Sequence, residues 1–230
     1  MILVILICVP PVVYSEACIG VVTTGGGQDF WAEIKKGALQ AAKEIGIKIY
    51  VRGASDEGNI KGQGLAIESM VRLGCGGIVL APNSSARKKD VKNLKAAGIP
   101  TVYIDRDMGG GRIGVVKTNN TLAGEAAAKH MVKALKGKGR VAVLRMSKDV
   151  LSTKLREDAF INEAKKAGLE VLIGSYLGTT VGSARTQTPN ILLNMKGIDG
   201  IFTPNESTSL GVIEALKFLK LSGKVIHIGF

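Results

Sequence analysis

Three short stretches of the chain carry polar side chains that could hold a polyhydroxyl ligand. Asp105-Arg106 follows a predicted strand and sets a carboxylate acceptor beside the fixed fork of donors of a guanidinium. Such a pair suits vicinal hydroxyl groups, although a local ion pair or a turn cap would use the same residues. Arg156, in a helix that follows a strand, and Asn205, at another strand end, add donors and an acceptor from the second half of the chain.

Two adjacent aromatic residues, Phe30 and Trp31, open a predicted helix just after the first strand. Trp31 is the only tryptophan in a chain that is just 4% aromatic. Two neighbours on the first turn of a helix cannot both point into one core. Either one of the rings faces a ligand cleft, or both are partly buried against neighbouring loops.

Short apolar runs alternate with amphipathic stretches along the first half of the chain, a pattern that predicts strands and helices in turn. The predicted strands span residues 19–23, 47–51, 77–80 and 101–104, and the predicted helices span residues 29–45, 59–73 and 86–97. Unbroken apolar strands separated by helices indicate a parallel sheet that is buried on both faces.

The same alternation of predicted strands and helices resumes after an irregular stretch, residues 105–120, that contains Gly109-Gly110-Gly111. The predicted helices here span residues 122–135, 152–167 and 207–219, and the predicted strands span residues 140–144, 169–173, 198–202 and 225–228. We therefore predict two α/β lobes, residues 18–118 and 119–230, with their boundary near Thr118. Ligands of such sheets bind beyond the carboxyl ends of the strands, where the polar residues named above are expected to lie.

Several segments of the sequence resemble the periplasmic sugar-binding proteins of ABC transporters, in the branch that includes the ribose-binding proteins. The resemblance covers nearly all of residues 18–230. It is carried by Ile19-Gly-Val-Val-Thr-Thr, Phe30-Trp31, Gly77-Ile-Val-Leu-Ala-Pro82, Gly98-Ile-Pro-Thr-Val-Tyr-Ile-Asp105, Thr118-Asn119-Asn120 and Gly200-Ile-Phe-Thr-Pro-Asn205-Glu206-Ser207-Thr208, of which the last is the most specific.

This resemblance implies the type I periplasmic binding protein fold, with two doubly wound parallel-sheet lobes, incomplete at the C-terminus. It also implies that the chain is the extracytoplasmic substrate-binding component of an ABC-type importer of pentoses or hexoses. The expected partners are a small sugar and a membrane permease, and we expect a monomer that binds no nucleic acid. The family's ligand-binding positions fall on Gln28, Phe30, Trp31, Asp105, Arg106, Arg156, Thr180 and Asn205.

Two departures from the family's pattern bear on binding. The family usually continues Gly-Phe-Asp after the last strand here, with the aspartate on the ligand, whereas this sequence stops at Gly229-Phe230. Pro189 falls where the family has the interior of a helix. Because proline removes a backbone hydrogen bond, we expect this helix to be kinked or to start late.

The composition argues against several other classes of protein. The net charge is +12, but the basic residues mostly recur on polar helix faces rather than in one patch, which favours solvated surface over a nucleic-acid site. Gly109 to Gly114 satisfies G-x-G-x-x-G but leads into Val115-Val116 rather than a helix. The two histidines have no acidic or cysteine partner at ligand spacing. We therefore expect no cofactor, no metal and no catalysis.

The first seventeen residues resemble a secretory signal peptide that ends after Ala17. A periplasmic or cell-surface location follows, although residues 2–9 could instead form a buried strand. Cys18, directly after the cut, would also suit a lipid anchor. After cleavage, Cys18 and Cys75 would remain and could form a disulfide, which the sequence does not establish.

Alternative functions share the same predicted fold. A ligand-sensing periplasmic protein that feeds a membrane receptor would use the same binding site. A sugar-responsive repressor core of the lac-repressor type would need an N-terminal helix-turn-helix, whereas this sequence begins with an apolar segment. An α/β enzyme is disfavoured because no paired carboxylates, activated nucleophile or cofactor loop are apparent.

Overall fold

A computed structural model of the chain describes residues 17–25 and 29–230. Within them the protein is an α/β molecule with two parallel sheets, as the sequence predicts. The predicted signal peptide, apart from Ala17, and the predicted ligand contact Gln28 lie outside the described residues. No helix in the described part of the chain is both long and apolar enough to cross a membrane.

The first lobe contains a five-stranded sheet and three helices. Its elements are β1 (Cys18–Thr23), α1 (Asp29–Ile45), β2 (Lys48–Gly53), α2 (Ile60–Arg72), β3 (Gly77–Leu80), α3 (Arg87–Ala96), β4 (Thr101–Ile104) and β5 (Gly114–Val116). The strands are parallel in the order β2-β1-β3-β4-β5. Strand β5 corrects the sequence prediction, which left this stretch irregular. This strand pairs with β4 alone and is only three residues long, which is too short for an apolar run to be recognised in the sequence.

The second lobe contains a four-stranded sheet and four helices. Its elements are α4 (Asn120–Ala134), β6 (Arg140–Arg145), α5 (Leu151–Lys166), β7 (Glu170–Tyr176), α6 (Val181–Leu193), β8 (Gly200–Thr203), α7 (Glu206–Phe218) and β9 (Ile226–Gly229). The strand order is β7-β6-β8-β9, again parallel. Strand β5 ends at Val116 and helix α4 begins at Asn120. The boundary near Thr118 stays a prediction.

Helix α6 contains Pro189 but does not start late. It begins at Val181 because Thr180 and Ser183 form a capping box, in which each side chain accepts from the other's backbone N–H. The helix then runs through Pro189 to Leu193. Proline donates no backbone hydrogen bond, so one bond of the helical ladder is missing at this point.

The two lobes differ in how completely their sheets are covered. In the second lobe all four residues of β8 and the four central residues of β6 are buried, and apolar clusters lie on both faces of the sheet. In the first lobe β3 and β4 alternate between buried and half-buried residues, and the described apolar cluster lies on the face covered by α2 and α3. Helix α1 buries only Trp31 and Ala42.

A disulfide joins Cys18, the first residue of β1, to Cys75, just before β3, with their Cα atoms 4.5 Å apart. The bond closes a loop over a sequence separation of 57 residues, which reduces the freedom of the unfolded chain. A lipid thioether would need the same sulfur of Cys18. The disulfide-bonded chain therefore cannot carry the lipid anchor that the sequence left open.

Candidate functional site

A cavity of about 310 Å³ lies between the two lobes. Its lining residues come from both: Phe30, Trp31, Glu57, Asp105, Arg106, Thr118, Met146, Ser152, Thr153, Arg156, Asn205, Glu206 and Phe230. Many of them follow the carboxyl end of a strand. Examples are Asp105 after β4, Met146 after β6 and Phe230 after β9. The site therefore occupies the place where open parallel sheets bind ligands.

Phe30 and Trp31 form an aromatic wall on the first-lobe side of the cavity. Trp31 is buried, at 3% exposure, whereas Phe30 is 42% exposed, yet both rings line the cavity. Their centroids lie 4.7 Å apart in an edge-to-face arrangement. The sequence left open whether one ring faces the cleft or both pack against loops. The edge-to-face geometry lets both rings line the cavity.

Asp105 occupies the left-handed backbone region, with φ of 63°. Aspartate tolerates this conformation better than most residues. Two hydrogen bonds hold the turn, since the N–H of Asp105 donates to the carbonyl of Val116 at 2.9 Å and the N–H of Arg106 donates to that of Ile104 at 2.6 Å. The strand end therefore fixes the direction in which the carboxylate leaves the backbone.

Arg106 is the centre of a buried charge cluster. Its Nη2 lies 2.6 Å from Oε2 of Glu57, and its Nε lies 3.1 Å from Oδ2 of Asp105. Burial raises the pKa of Asp105, an effect that the neighbouring Arg106 opposes. The guanidinium thus fixes two carboxylates at the cavity wall, where both can accept hydrogen bonds from a ligand.

Arg156 is held on the second-lobe side by three partners. Its Nε donates to Oδ1 of Asn120 at 2.8 Å, and its Nη1 donates to the carbonyl of Pro204 at 2.9 Å. The guanidinium lies 3.5 Å from the ring centroid of Phe230. Burial lowers the pKa of Arg156 to about 10, and nearby Asp105 works against that shift. The group stays charged at neutral pH.

Asn205 lies at the entrance to helix α7 in an extended conformation. Its Nδ2 donates to Oγ of Ser207 at 2.9 Å, and its Oδ1 accepts from Oγ1 of Thr208 at 2.6 Å. The amide lines the cavity in a fixed orientation. Each of its two polar atoms keeps spare hydrogen-bonding capacity for a ligand, because the amide has two donor hydrogens and two acceptor lone pairs.

The structure brings together six of the eight predicted ligand contacts, namely Phe30, Trp31, Asp105, Arg106, Arg156 and Asn205. Thr180 lies outside the cavity lining, so its role as a ligand contact stays a prediction. Its exposed hydroxyl caps helix α6 by accepting from the N–H of Ser183 at 3.1 Å. Gln28 lies outside the described residues.

Sequence reasoning missed several lining residues, of which the charged ones, Glu57 and Glu206, matter most. Glu206 directly follows Asn205, so the same strand-end rule could have found it. Glu57 lies four positions beyond the end of β2, in a loop where nothing local marks it. Across the described ranges, no three His, Cys, Asp or Glu side chains are grouped so as to hold a metal.

Comparisons with known proteins bear on the family and the fold of the chain. Residues 19–230 match the sequence family described as periplasmic binding protein domain. The ribose import binding protein of Bacillus subtilis (strain 168) is 29% identical over 220 residues, which is 94% of this chain and 70% of the relative.

Two solved structures share the fold over most of the chain. A periplasmic component of an ABC-type sugar transport system from Hahella chejuensis has a TM-score of 0.88 and 30% identity, covering 93% of this chain and 79% of that one. An ABC transporter solute binding protein from Agrobacterium vitis, with bound D-fucose, has a TM-score of 0.86 and 29% identity, covering 93% and 76%. The chain belongs to the periplasmic binding protein domain family.

Proposed function

We propose that this protein is the extracytoplasmic sugar-binding component of an ABC-type importer. It captures a pentose or hexose in ring form between its two lobes and presents the closed complex to a membrane permease. The Bacillus subtilis relative is a ribose import binding protein, and the Agrobacterium vitis structure contains D-fucose. These names support a monosaccharide as the ligand.

One observation carries the proposal: the cavity combines an aromatic wall with charged side chains from both lobes. Phe30 and Trp31 offer flat apolar surfaces to the C–H faces of a sugar ring. Asp105 and Arg106 on one side, and Arg156 on the other, offer acceptors and donors to its hydroxyl groups. Closing the lobes on a ligand excludes water and strengthens these hydrogen bonds.

The disulfide supports a location outside the cytoplasm. Bonds such as Cys18–Cys75 form and persist in oxidising compartments and are rare in cytosolic proteins. The signal peptide predicted at residues 1–17 points the same way. We propose a monomer that works in the periplasm or at the cell surface.

A thermal-shift screen of the whole chain against aldoses, ketoses and polyols tests the assignment. A ligand that binds only the folded state raises the unfolding midpoint, by an amount that follows from RT ln(1 + [L]/Kd). We expect one monosaccharide or a narrow stereochemical group to raise it. The Arg156→Lys variant should lose the shift, because lysine keeps the charge but lacks the fork of donors.

The matched control is Arg185→Lys, since Arg185 lies on helix α6 with its side chain 59% exposed, outside the cavity lining. Its sugar-induced shift should equal that of the wild type. Two results would count against the proposal: no shift of the unfolding midpoint with any compound of the panel, or an equal loss of the shift in both variants.

A further inference from the structure

A hydrogen bond crosses the mouth of the cavity from one lobe to the other. The backbone N–H of Phe30, in the first turn of α1, donates to Oε2 of Glu206, the first residue of α7, at 3.0 Å. The two residues are separated by 176 positions in the sequence, and their helices belong to different lobes. The contact therefore exists only while the lobes are closed.

The chemistry of this contact favours a negatively charged acceptor. The first N–H groups of a helix have no partner within the helix, and its N-terminus carries a partial positive charge. Glu206 places its carboxylate against the first turn of α1 while it belongs to the first turn of α7. One carboxylate thus lies near two helix N-termini. Helix α1 has one acidic residue of its own in its first turn, Asp29.

The contact also bears directly on the aromatic wall. Phe30, which donates the bond, packs edge-to-face on Trp31, and both rings line the cavity together with Glu206. The Phe30 side chain is 42% exposed, so burial in its own lobe holds it only in part. A bond to its backbone therefore fixes the first turn of α1 relative to the second lobe.

We propose that Glu206 is a positioning residue, which latches the first turn of α1 to the second lobe and so holds the aromatic wall over the bound ligand. The latch forms whenever the lobes close, with or without a ligand. Because a ligand enters while the lobes are open, the latch slows dissociation and leaves association unchanged. The part of this proposal that concerns the ligand rests on the proposed sugar-binding function. The lobe-to-lobe latch itself does not.

The latch can be tested without a ligand by measuring amide exchange with water in the ¹⁵N-labelled full chain by NMR. In Glu206→Ala the Phe30 amide should exchange roughly three- to tenfold faster than in the wild type, because its acceptor is gone. Glu206→Gln keeps an oxygen acceptor without the charge and should fall in between. Amides in the middle of α7 should not change, which separates a lost latch from local unfolding of that helix.

Glu214→Ala is the matched control, because Glu214 lies on the same helix and its carboxylate faces Arg185 rather than α1. It should leave the Phe30 amide as in the wild type. The latch is refuted if Phe30 exchanges equally in Glu206→Ala and the wild type, or if Glu214→Ala speeds its exchange to the same degree.

The kinetic part uses Trp31, the sole tryptophan, as a fluorescent reporter in stopped-flow mixing with the sugar that the thermal-shift screen identifies. Glu206→Ala should raise the dissociation rate constant by roughly three- to tenfold, with the association rate constant within error of the wild type. A change confined to association would overturn the latch as a determinant of residence time. If no sugar binds, the exchange experiment still decides whether the latch exists.

Discussion

At the scale of single residues, the position of Asp105 combines two demands that few side chains meet. It must tolerate a left-handed backbone, and it must supply a carboxylate beside Arg106. Asparagine tolerates the same backbone and has nearly the same shape, but it carries no charge. The two demands can therefore be separated by one substitution.

We expect Asp105→Asn to fold as the wild type does and to bind its ligand roughly 10- to 100-fold more weakly, because it loses a charged acceptor. Isothermal titration calorimetry with the identified ligand measures the loss. Asp107→Asn is the control, since Asp107 lies in the same loop but pairs with Arg112 outside the cavity lining. Equal affinities for both variants would remove Asp105 from the site.

Two titratable groups of the second lobe, the buried Glu157 and the half-buried His227, respond to pH in opposite directions. Burial raises the pKa of Glu157 from 4.5 to about 7, so its contribution to stability is complete below pH 4.5 and is lost as the pH rises through 7. Burial lowers the pKa of His227 from 6.5 to about 4, so its contribution is complete above pH 6.5 and is lost as the pH falls through 4. Each effect is on the order of 3 kcal/mol.

The two effects should largely cancel in the wild type between about pH 4.5 and 6.5. We therefore expect Glu157→Gln to lose stability as the pH falls across this range, and His227→Gln to gain it. Urea unfolding at a series of pH values measures both slopes. Parallel curves for the two variants and the wild type would show that neither group titrates as assigned.

At the scale of elements, the packing of α4 on α5 determines where Arg156 lies. A Cβ atom at Gly124 of α4 would fall inside van der Waals contact with the backbone carbonyl of Arg156 and 2.9 Å from the Cβ of Ala159. Only glycine lets the two helices approach this closely. The Arg156 side chain can therefore reach Asn120 at the start of α4.

Gly124→Ala should destabilise the protein by roughly 1–3 kcal/mol and weaken ligand binding, because α5 and its arginine must move. Gly182→Ala is the control, since Gly182 lies in α6 and a Cβ there would meet nothing within 4 Å. Alanine at that position should stabilise the protein slightly, through its higher helix propensity. Urea unfolding and calorimetry check both variants. Similar losses of stability in the two variants would mean that the close approach of α4 to α5 does not explain the loss in Gly124→Ala.

The sequence predicted the elements well where its signal was local. The predicted limits of β3, β4 and α1 coincide with the observed ones, because a continuous apolar run or a strongly periodic stretch is bounded by turn residues. Strand β5 was not predicted, because a run of three residues is too short to show an apolar pattern. Glu57, by contrast, joins the site only through its ion pair with Arg106, 49 positions along the chain. No local pattern encodes such a contact, and the same holds for the pairing of Cys18 with Cys75.

At the scale of the whole molecule, the two lobes are joined at the cavity but stabilised unequally. The second-lobe sheet packs between two apolar clusters, including a stacked pair formed by Phe160 and Phe202, with centroids 4.1 Å apart. The first-lobe sheet has its apolar cluster on one face, and α1 on the other face contributes only two buried residues. Since burial of apolar surface is the main source of stability, the first lobe should be the less stable one.

Hydrogen exchange of the ligand-free protein can resolve this difference strand by strand. We expect the amides of β6 and β8 to exchange at least roughly tenfold more slowly than those of β3 and β4, because their side chains are buried on both faces. Reduction of the Cys18–Cys75 bond should increase this difference in exchange rate between the two sheets, since the disulfide constrains the first lobe alone. Equal protection in the two sheets would mean that the lobes open as one cooperative unit. In that case the contacts across the cavity, such as the bond from Phe30 to Glu206, would have to couple the lobes far more strongly than a single hydrogen bond at the cavity mouth can.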